Sequence, residues 1–292
     1  MAVSSTLLPR LFLLGAATLF STGGVAIKAC AFEGWEVAGF RSGISALALV
    51  VLLPAARRRW TWRMVAVGCA YAGCLVSYAV ANKATTAANV IFLQSSAPLY
   101  ILALGPFLLR ERVRVRDLGL MAVMALGLGL FFADDAASAT APDPLRGNLF
   151  GLAAGIFWAF TVMGMRALAS GGDSSGEMVD DDALASVVAG NVIAFVVCLP
   201  MALPLSSVGA VDWLLLVYLG VFQIGLAYLL LVRGLRHVGA FEASILLLVE
   251  PVLTPVWTFL VQAEVPSRWA LLGGGLILAA ATVKTFFDTR TP

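Results

Sequence analysis

The sequence predicts an all-α integral membrane protein whose ten transmembrane helices form two inverted five-helix repeats. Three observations support this fold class: an apolar composition, ten long apolar runs, and a correspondence between the two halves of the chain. Of the 292 residues, 61% are hydrophobic and 12% are charged. A soluble domain carries about a quarter charged residues, so this chain has too little polar surface to cover a globule in water. A lipid bilayer, which accepts an apolar exterior, suits the composition.

Ten apolar runs make up most of the chain, and an α-helix needs about 20 mostly apolar residues to cross a bilayer. The predicted spans are 9–29, 35–54, 64–82, 88–109, 117–133, 147–169, 183–203, 211–233, 241–262 and 269–287. The connections between them are short. Two connections, residues 134–146 and 170–182, are distinctly polar, but neither is long enough to form a domain.

The positions of the basic residues predict the orientation in the membrane. The loops after the second and fourth spans hold clusters of arginines: Arg57, Arg58, Arg59, Arg63, Arg110, Arg112, Arg114 and Arg116. The loops on the other side hold scattered basic residues: Lys28, Lys83, Arg146 and Arg268. Because short loops rich in Lys and Arg stay in the cytoplasm, we expect both termini to be cytoplasmic, in a bacterial-type inner membrane.

A shift of 153 residues superimposes the segment around span four on the segment around span nine. The shift relates Lys83 to Arg236, Ala87 to Ala240, Pro98 to Pro251 and Glu111 to Glu264. Each segment is a basic connector, a span with a proline near its middle, and a glutamate just past its end. These matches predict a first repeat at residues 1–133, a polar loop at 134–146 and a second repeat at 147–292.

Each predicted repeat contains five spans, which is an odd number. The second repeat therefore enters the membrane from the opposite side, and the two repeats are inverted. Inverted repeats are typical of secondary transporters, whose substrate site lies near the midplane between the repeats. The predicted function is alternating access, in which one site faces each side of the membrane in turn.

The paired segments resemble the EamA repeats of the drug/metabolite transporter superfamily. The resemblance rests on the span-four proline Pro98, on Glu250-Pro251 in span nine, and on the closing glutamates Glu111 and Glu264, which we interpret with the prolines as structural or hinge residues. Within that superfamily the chain is most similar to YddG-type exporters of aromatic and other amino acids. The resemblance implies a ten-span exporter that works without ATP.

Two features depart from the family pattern. Arg110 and Ala263 stand where the family often has a glycine before the closing glutamate, and Phe20 to Gly24 stand where it often has Trp-Gly. These departures leave the family assignment in place and bear on the exporter subtype.

Polar side chains inside the spans are candidates for substrate binding, because such groups are costly in a bilayer. They are Gln94, Ser95, Gln223, Ser244 and Glu250. Glu250 is interpreted either as a proton-coupling or substrate-amine site, or as a protonated or hydrogen-bonded residue that holds the kink at Pro251. The others either line a cavity or bond to neighbouring helices.

Four aromatic side chains lie well inside their spans, although Trp and Tyr normally prefer the membrane interface. They are Tyr78, Tyr100, Trp158 and Tyr228. One interpretation is that they wall a cavity for apolar or aromatic groups, lined by spans one, three, four, six, eight and nine. The other interpretation is helix packing.

Two further features concern single spans. Arg41, inside span two, could attract a substrate carboxylate or form an internal ion pair with Glu33 or Glu36. In span six, Gly147 and two further glycines recur at four-residue spacing, which predicts close helix packing.

Several function classes lack their usual motifs. There is no Gly-rich loop ending in Gly-Lys-Ser/Thr for ATP, and no common hydrolase motif. The single histidine, His237, and four dispersed cysteines do not predict a metal site, and no cofactor is implied. Nothing predicts nucleic-acid binding. The expected partners are a small-molecule substrate and the lipid bilayer, and the protein is expected to be a monomer. The alternatives are a lipid or metabolite flippase, a membrane-embedded enzyme, or a channel or scaffold.

Overall fold

The computed structural model describes residues 4–52, 57, 59–108, 115–133, 137–170, 176–205, 208–235, 238 and 240–289. Within these ranges the regular structure is helical, apart from one isolated bridge between Ser138 and Ala141. Large apolar side chains such as Leu47 (68% exposed) and Phe107 (82% exposed) face outward on the described surface. This exterior fits lipid rather than water.

Seven helices lie in the described part of the first half of the chain. They are α1 (Ser4–Ser21), α2 (Gly23–Ala29), α3 (Gly34–Leu52), α4 (Trp62–Ala84), α5 (Ala87–Gln94), α6 (Ala97–Leu108) and α7 (Val115–Leu130). In the predicted numbering, α1 and α2 form span one, α3 and α4 are spans two and three, α5 and α6 form span four, and α7 is span five.

Among the residues described in the second half are seven α-helices and one π-helix. They are α8 (Pro144–Ser170), α9 (Gly176–Cys198), α10 (Ala210–Val217), the π-helix (Tyr218–Leu226), α11 (Ala227–Leu235), α12 (Ala240–Leu247), α13 (Val249–Gln262) and α14 (Arg268–Thr289). Helices α8 and α9 are spans six and seven. Span eight runs from α10 through the π-helix to α11, span nine is α12 and α13, and span ten is α14.

The predicted all-helical membrane fold is confirmed. Within the described ranges, eight helical segments are long and apolar enough to cross a bilayer, and they coincide with eight predicted spans. The other two predicted spans coincide with α7, which has 16 residues, and with the apolar stretch Asp182–Cys198 of α9. The chain is therefore a multi-pass membrane protein.

Both spans that carry a mid-span proline are broken at corresponding positions. Span four is interrupted at Ser95, where φ is −66° and ψ is −7°. Span nine is interrupted at Leu248, where φ is −64° and ψ is −11°. Ser95 and Leu248 are related by the same 153-residue shift as the prolines that follow them. Because proline cannot donate a helical hydrogen bond and crowds the preceding turn, each break lies just before its proline.

The helix packing repeats when the two halves are exchanged. Span three packs on spans six and seven, and span eight packs on spans one and two. Spans two and seven contact each other, as do spans five and ten. This is the pattern that two related halves produce when they pack face to face.

Span six approaches span four and the loop before it very closely. A Cβ atom at Gly147 would lie 2.5 Å from the Cβ of Thr85, and one at Gly155 would lie 2.7 Å from the carbonyl oxygen of Leu93. Side chains cannot be accommodated at such distances, so the glycines allow the two helices to touch. The predicted packing role of this glycine face is confirmed.

Candidate functional site

A cavity of about 380 Å³ lies between the two halves. Its volume falls in the range of small-molecule sites, which are mostly apolar with a few polar groups. The lining comes from spans one, two, three, four, six, eight, nine and ten. Span ten was not expected in the lining, because its inward-facing residues, such as Thr282 and Thr285, do not stand out in the sequence. Span two was not expected either, although its lining residue Arg41 was singled out in the sequence.

Seven of the nine predicted substrate-binding residues line this cavity. They are Tyr78, Gln94, Ser95, Trp158, Gln223, Tyr228 and Glu250. Pro98 and Pro251, predicted as hinges, also line it, which places both helix breaks at the cavity wall.

The remaining predictions have other outcomes. Tyr100 lies outside the cavity lining and packs against the apolar cluster of Ala97, Ala159 and Met163, since it points from span four toward span six. The side chain of Ser244 and the whole of Glu111 lie outside the described residues.

Four aromatic rings form a continuous chain along the cavity. Phe20 meets Tyr228 edge-on at 5.4 Å between ring centroids, Tyr228 meets Tyr71 edge-on at 6.0 Å, and Tyr71 lies 6.4 Å from Trp158. All four line the cavity. The two tyrosines come from spans three and eight and the two end rings from spans one and six, so the chain draws on corresponding spans of the two halves.

Phe20 and Tyr71 were missed in the sequence. Tyr71 meets the criterion that selected Tyr78, a tyrosine inside an apolar run, and could have been found with it. Phe20 carries no such signal, because phenylalanine is common throughout membrane spans.

Arg41 is almost fully buried, at 1% exposure, and lines the cavity. Its Nη2 donates a hydrogen bond to the carbonyl oxygen of Leu75 at 2.9 Å, and its guanidinium carbon lies 5.8 Å from the centre of the Tyr78 ring. Its Nε has no hydrogen-bond partner. Among the described residues, no carboxylate lies within ion-pair distance of Arg41, so the expected pair with Glu33 or Glu36 is not formed. Instead, Glu36 accepts a hydrogen bond from the backbone N–H of Glu33 at 2.8 Å.

Glu250 lines the cavity beside the break in span nine. Its backbone oxygen accepts a hydrogen bond from the Thr254 hydroxyl at 2.9 Å. In the described part of the chain its carboxylate has neither a hydrogen bond nor an ion pair, so the alternative in which this side chain bonds across the kink is not observed.

Gln223 reaches the cavity from an unusual helix. It lies in the nine-residue π-helix Tyr218–Leu226, which the apolar run of span eight did not predict. Its Nε2 donates to the carbonyl oxygen of Phe20 at 3.5 Å, while its Oε1 has no partner. Single-turn π-helical insertions are frequent at functional sites, and here the π-helix adjoins Ala227 and Tyr228 at the cavity wall.

One end of the protein is sealed by an ion pair, and we call it the closed end. It is formed by the helix termini Ala29, Ala84, Ala87 and Gln262. Lys28 Nζ lies 3.0 Å from Glu264 Oε2, with side-chain exposures of 7% and 0%. The same Nζ donates to the carbonyl oxygen of Thr85 at 2.8 Å, and Glu264 Oε1 accepts from the backbone N–H of Ala87 at 2.8 Å.

A second group of polar contacts continues the closed end into span six. The amide oxygen of Asn148 accepts hydrogen bonds from the Thr85 hydroxyl and the Asn89 amide, each at 3.0 Å. The Asn148 amide donates to the carbonyl oxygen of Phe131 at 2.8 Å. Spans three, four, five and six are therefore joined there by buried bonds.

The cavity runs away from the closed end. Arg41 lies about 10 Å along span two from that end, at 1.5 Å per residue, whereas Thr285 lies about 25 Å along span ten. Arg41 and Tyr78 thus lie at the floor of the cavity, and the lining reaches almost to the opposite end of span ten.

Comparison with known proteins agrees with this architecture. The sequence model of the EamA-like transporter family matches residues 8–133 and 145–286. An uncharacterized transporter of Archaeoglobus fulgidus is 26% identical over 210 residues, which are 72% of this chain and 71% of that protein. A solved crystal structure with 21% identity covers 97% of this chain and 98% of its own, with a TM-score of 0.60, and shows the same fold. Because the family matches span nearly the whole sequence, this chain belongs to the EamA-like transporter family.

Proposed function

We propose that the protein is a secondary transporter that exports amino acids, aromatic ones among them, or related small metabolites, by alternating access between its two repeats. The main support for the proposal is the chain of four aromatic rings along a cavity between the halves. Aromatic faces and edges bind flat or apolar side chains with broad tolerance. This chemistry suits a transporter of the YddG type that accepts several amino acids.

The polar groups of the cavity match the α-carboxylate and α-ammonium groups that all amino acids share. Arg41 presents cationic donors, Glu250 presents an anionic acceptor, and Gln223 presents an amide oxygen without a partner. A small site with few polar groups and a large apolar wall favours loose specificity.

Alternating access is supported by the ion pair at the closed end. Glu264 accepts from Ala87 and pairs with Lys28, so it ties span nine to spans one and four. The 153-residue shift relates Glu264 to Glu111 and Ala87 to Ala240. We infer from this correspondence that Glu111 has the role of Glu264 when the protein closes at its other end.

The proposed orientation follows from the basic loops. With both termini in the cytoplasm of a bacterial-type inner membrane, the closed end faces outward and the cavity faces inward. This is the state in which an exporter takes up its substrate. Both repeats are fused in one chain and the cavity lies between them, so a monomer is the proposed working unit.

The experiment is uptake by liposomes that contain the purified protein, with a panel of labelled amino acids and no imposed ion gradient. Equilibration of several amino acids that compete with one another supports facilitated transport. Uptake that requires a proton gradient supports coupling, and Glu250→Gln should then abolish the dependence on that gradient. The matched control is Glu242→Gln, a glutamate of the same span that pairs with Arg10 outside the cavity. No uptake in either condition would overturn the amino acid assignment.

A further inference from the structure

Among the described residues, the cavity lining contains one arginine, from the first half of the protein, and one glutamate, from the second half. Arg41 belongs to span two and Glu250 to span nine. The 153-residue shift relates Glu250 to Ala97, which also lines the cavity and carries no charge. The aromatic chain thus draws on corresponding spans of both halves, whereas Glu250 has an uncharged counterpart. The correspondence between the halves therefore does not account for the charged groups of the cavity.

The guanidinium of Arg41 has more donors than the protein uses. An arginine carries five N–H donors and no acceptor. Within the described part of the chain, one hydrogen bond from Arg41 is accepted, at the carbonyl oxygen of Leu75. The Tyr78 ring adds a weaker contact at 5.8 Å, and Nε is left without a partner.

A buried arginine without a carboxylate partner is rare, because removing a charge from water is costly unless the charge is paired. Arg41 is 1% exposed, and its contacts are with the Leu75 carbonyl oxygen and the Tyr78 ring. Glu250 lines the same cavity, but among the described residues no carboxylate lies within ion-pair distance of Arg41. The partner that this site lacks is a planar anion, since a guanidinium binds a carboxylate through two parallel hydrogen bonds.

We propose that Arg41 anchors the carboxylate of the substrate at the floor of the cavity, so that the protein selects carboxylate-bearing molecules and discriminates against their amides and amines. This inference rests on the proposed function and specifies its substrate class. The side chain of the substrate then extends along the aromatic chain toward Trp158, and its ammonium group faces Glu250.

The position of Arg41 fits this role. It lies about 10 Å from the closed end and beside Tyr78, and Tyr71 lies about 10 Å further from that end along span three. A carboxylate bound there lies at the floor of the cavity. The low polarity of its surroundings strengthens each charged hydrogen bond that it accepts.

The test uses the purified full-length protein in liposomes and measures inhibition of labelled phenylalanine uptake by three competitors. They are unlabelled phenylalanine, phenylalaninamide, which lacks the carboxylate, and 3-phenylpropionate, which lacks the ammonium group. In the wild type, the amide should inhibit about 10- to 100-fold more weakly than phenylalanine, the range that charged hydrogen bonds supply. Arg41→Gln should raise the half-saturation concentration for phenylalanine by a similar factor and remove the preference over the amide.

Arg41→Lys keeps the charge but cannot form the two parallel bonds, so an intermediate preference is expected. Arg146→Gln is the matched control, because Arg146 stacks on Phe150 outside the cavity and its replacement should leave the preference intact. Equal inhibition by phenylalanine and its amide in the wild type, or an unchanged preference in Arg41→Gln, would overturn the inference while the transport function stands.

A second measurement tests the anchor without transport. A ligand that binds the folded protein raises its thermal stability, so 3-phenylpropionate should stabilise the detergent-solubilised wild type more than 3-phenylpropanol does. Arg41→Gln should lose this difference. If no amino acid is transported but the carboxylate still stabilises through Arg41, the amino acid assignment fails and the anchor stands. If the acid and the alcohol stabilise the wild type equally, the anchor is wrong.

Discussion

Lys28 Nζ lies 3.0 Å from Glu264 Oε2, and this buried pair joins the end of span one to the residue that follows span nine. The two residues belong to different repeats. Lys28 also donates to the backbone of Thr85 and Thr140, at 2.8 and 2.5 Å. Four separate parts of the chain therefore meet at one ammonium group. Because breaking a buried pair leaves the other charge uncompensated, the closed end is held by a contact that opening must disrupt.

Glu264→Gln should open the closed end more often. Removing one partner of a buried pair costs about 3 to 5 kcal/mol. The free energy of the closed state should therefore rise relative to that of the open state. Cys30 is buried at that end, at 2% exposure, and serves as a native reporter. In a variant whose other cysteines are replaced by alanine, a membrane-impermeant maleimide should label Cys30 at least about tenfold faster after Glu264→Gln.

The control for that experiment is another glutamate paired with a basic residue of span one. Glu242 lies 2.5 Å from Arg10, but both side chains are more than 40% exposed. Exposed pairs contribute about 1 kcal/mol or less, so Glu242→Gln should not change the labelling of Cys30. Equal labelling rates in the wild type and Glu264→Gln would show that this pair does not hold the closed end.

Gly147→Ala should destabilise the protein, because its new Cβ would lie 2.5 Å from the Cβ and 2.6 Å from the backbone nitrogen of Thr85. Overpacking of this kind costs about 1 to 3 kcal/mol. Thermal unfolding in detergent should show a lower midpoint. Gly275→Ala is the matched control in another span, since nothing lies within 4 Å of a Cβ there. Similar midpoints for the two variants would contradict the close approach of span six to the loop before span four.

Much of the fold follows from local sequence. Apolar runs predicted all ten spans, and the shift relating Pro98 to Pro251 predicted the two broken helices. The candidate cavity residues were found because a bilayer makes polar and inner aromatic side chains exceptional. Tyr100 met the same criterion but packs on span six, since the direction in which a side chain points depends on the rotation of its helix.

The structural features that the sequence did not predict depend on contacts between distant segments. Nothing local in the sequence indicates that Lys28 meets Glu264, or that Arg41 lacks an acidic neighbour despite Glu33 and Glu36 nearby in sequence. The π-helix Tyr218–Leu226 was also missed, because it changes the hydrogen-bond register without altering hydropathy. Such features are decided by packing between the halves.

Trp158→Leu should change the preference among substrates rather than abolish transport. Trp158 ends the aromatic chain, 6.4 Å from Tyr71, and aromatic pairs contribute about 0.5 to 1.5 kcal/mol beyond their buried area. The half-saturation concentration for phenylalanine should therefore rise about three- to tenfold, with a smaller rise for leucine. Competition uptake with both amino acids measures the ratio.

Trp257→Leu is the control for Trp158, because Trp257 bonds to Ser21 through its indole N–H at 2.9 Å and is not part of the cavity lining. It should leave the ratio of phenylalanine to leucine unchanged. An unchanged ratio in Trp158→Leu would remove this ring from the substrate site.

Pro251→Ala should slow transport while leaving substrate affinity nearly unchanged. The proline follows the break at Leu248, where span nine is interrupted at the cavity wall. Alanine restores a backbone N–H and removes the clash with the preceding turn, so the two helices α12 and α13 should join into a stiffer span. If the break acts as the hinge of a conformational step that limits the rate, the maximal rate of exchange should fall. Pro255→Ala, in the same span but outside the cavity lining, provides the comparison. A fall in rate with Pro255→Ala as large as that with Pro251→Ala would mean that the stiffness of span nine as a whole matters, and that its break does not act as a local hinge.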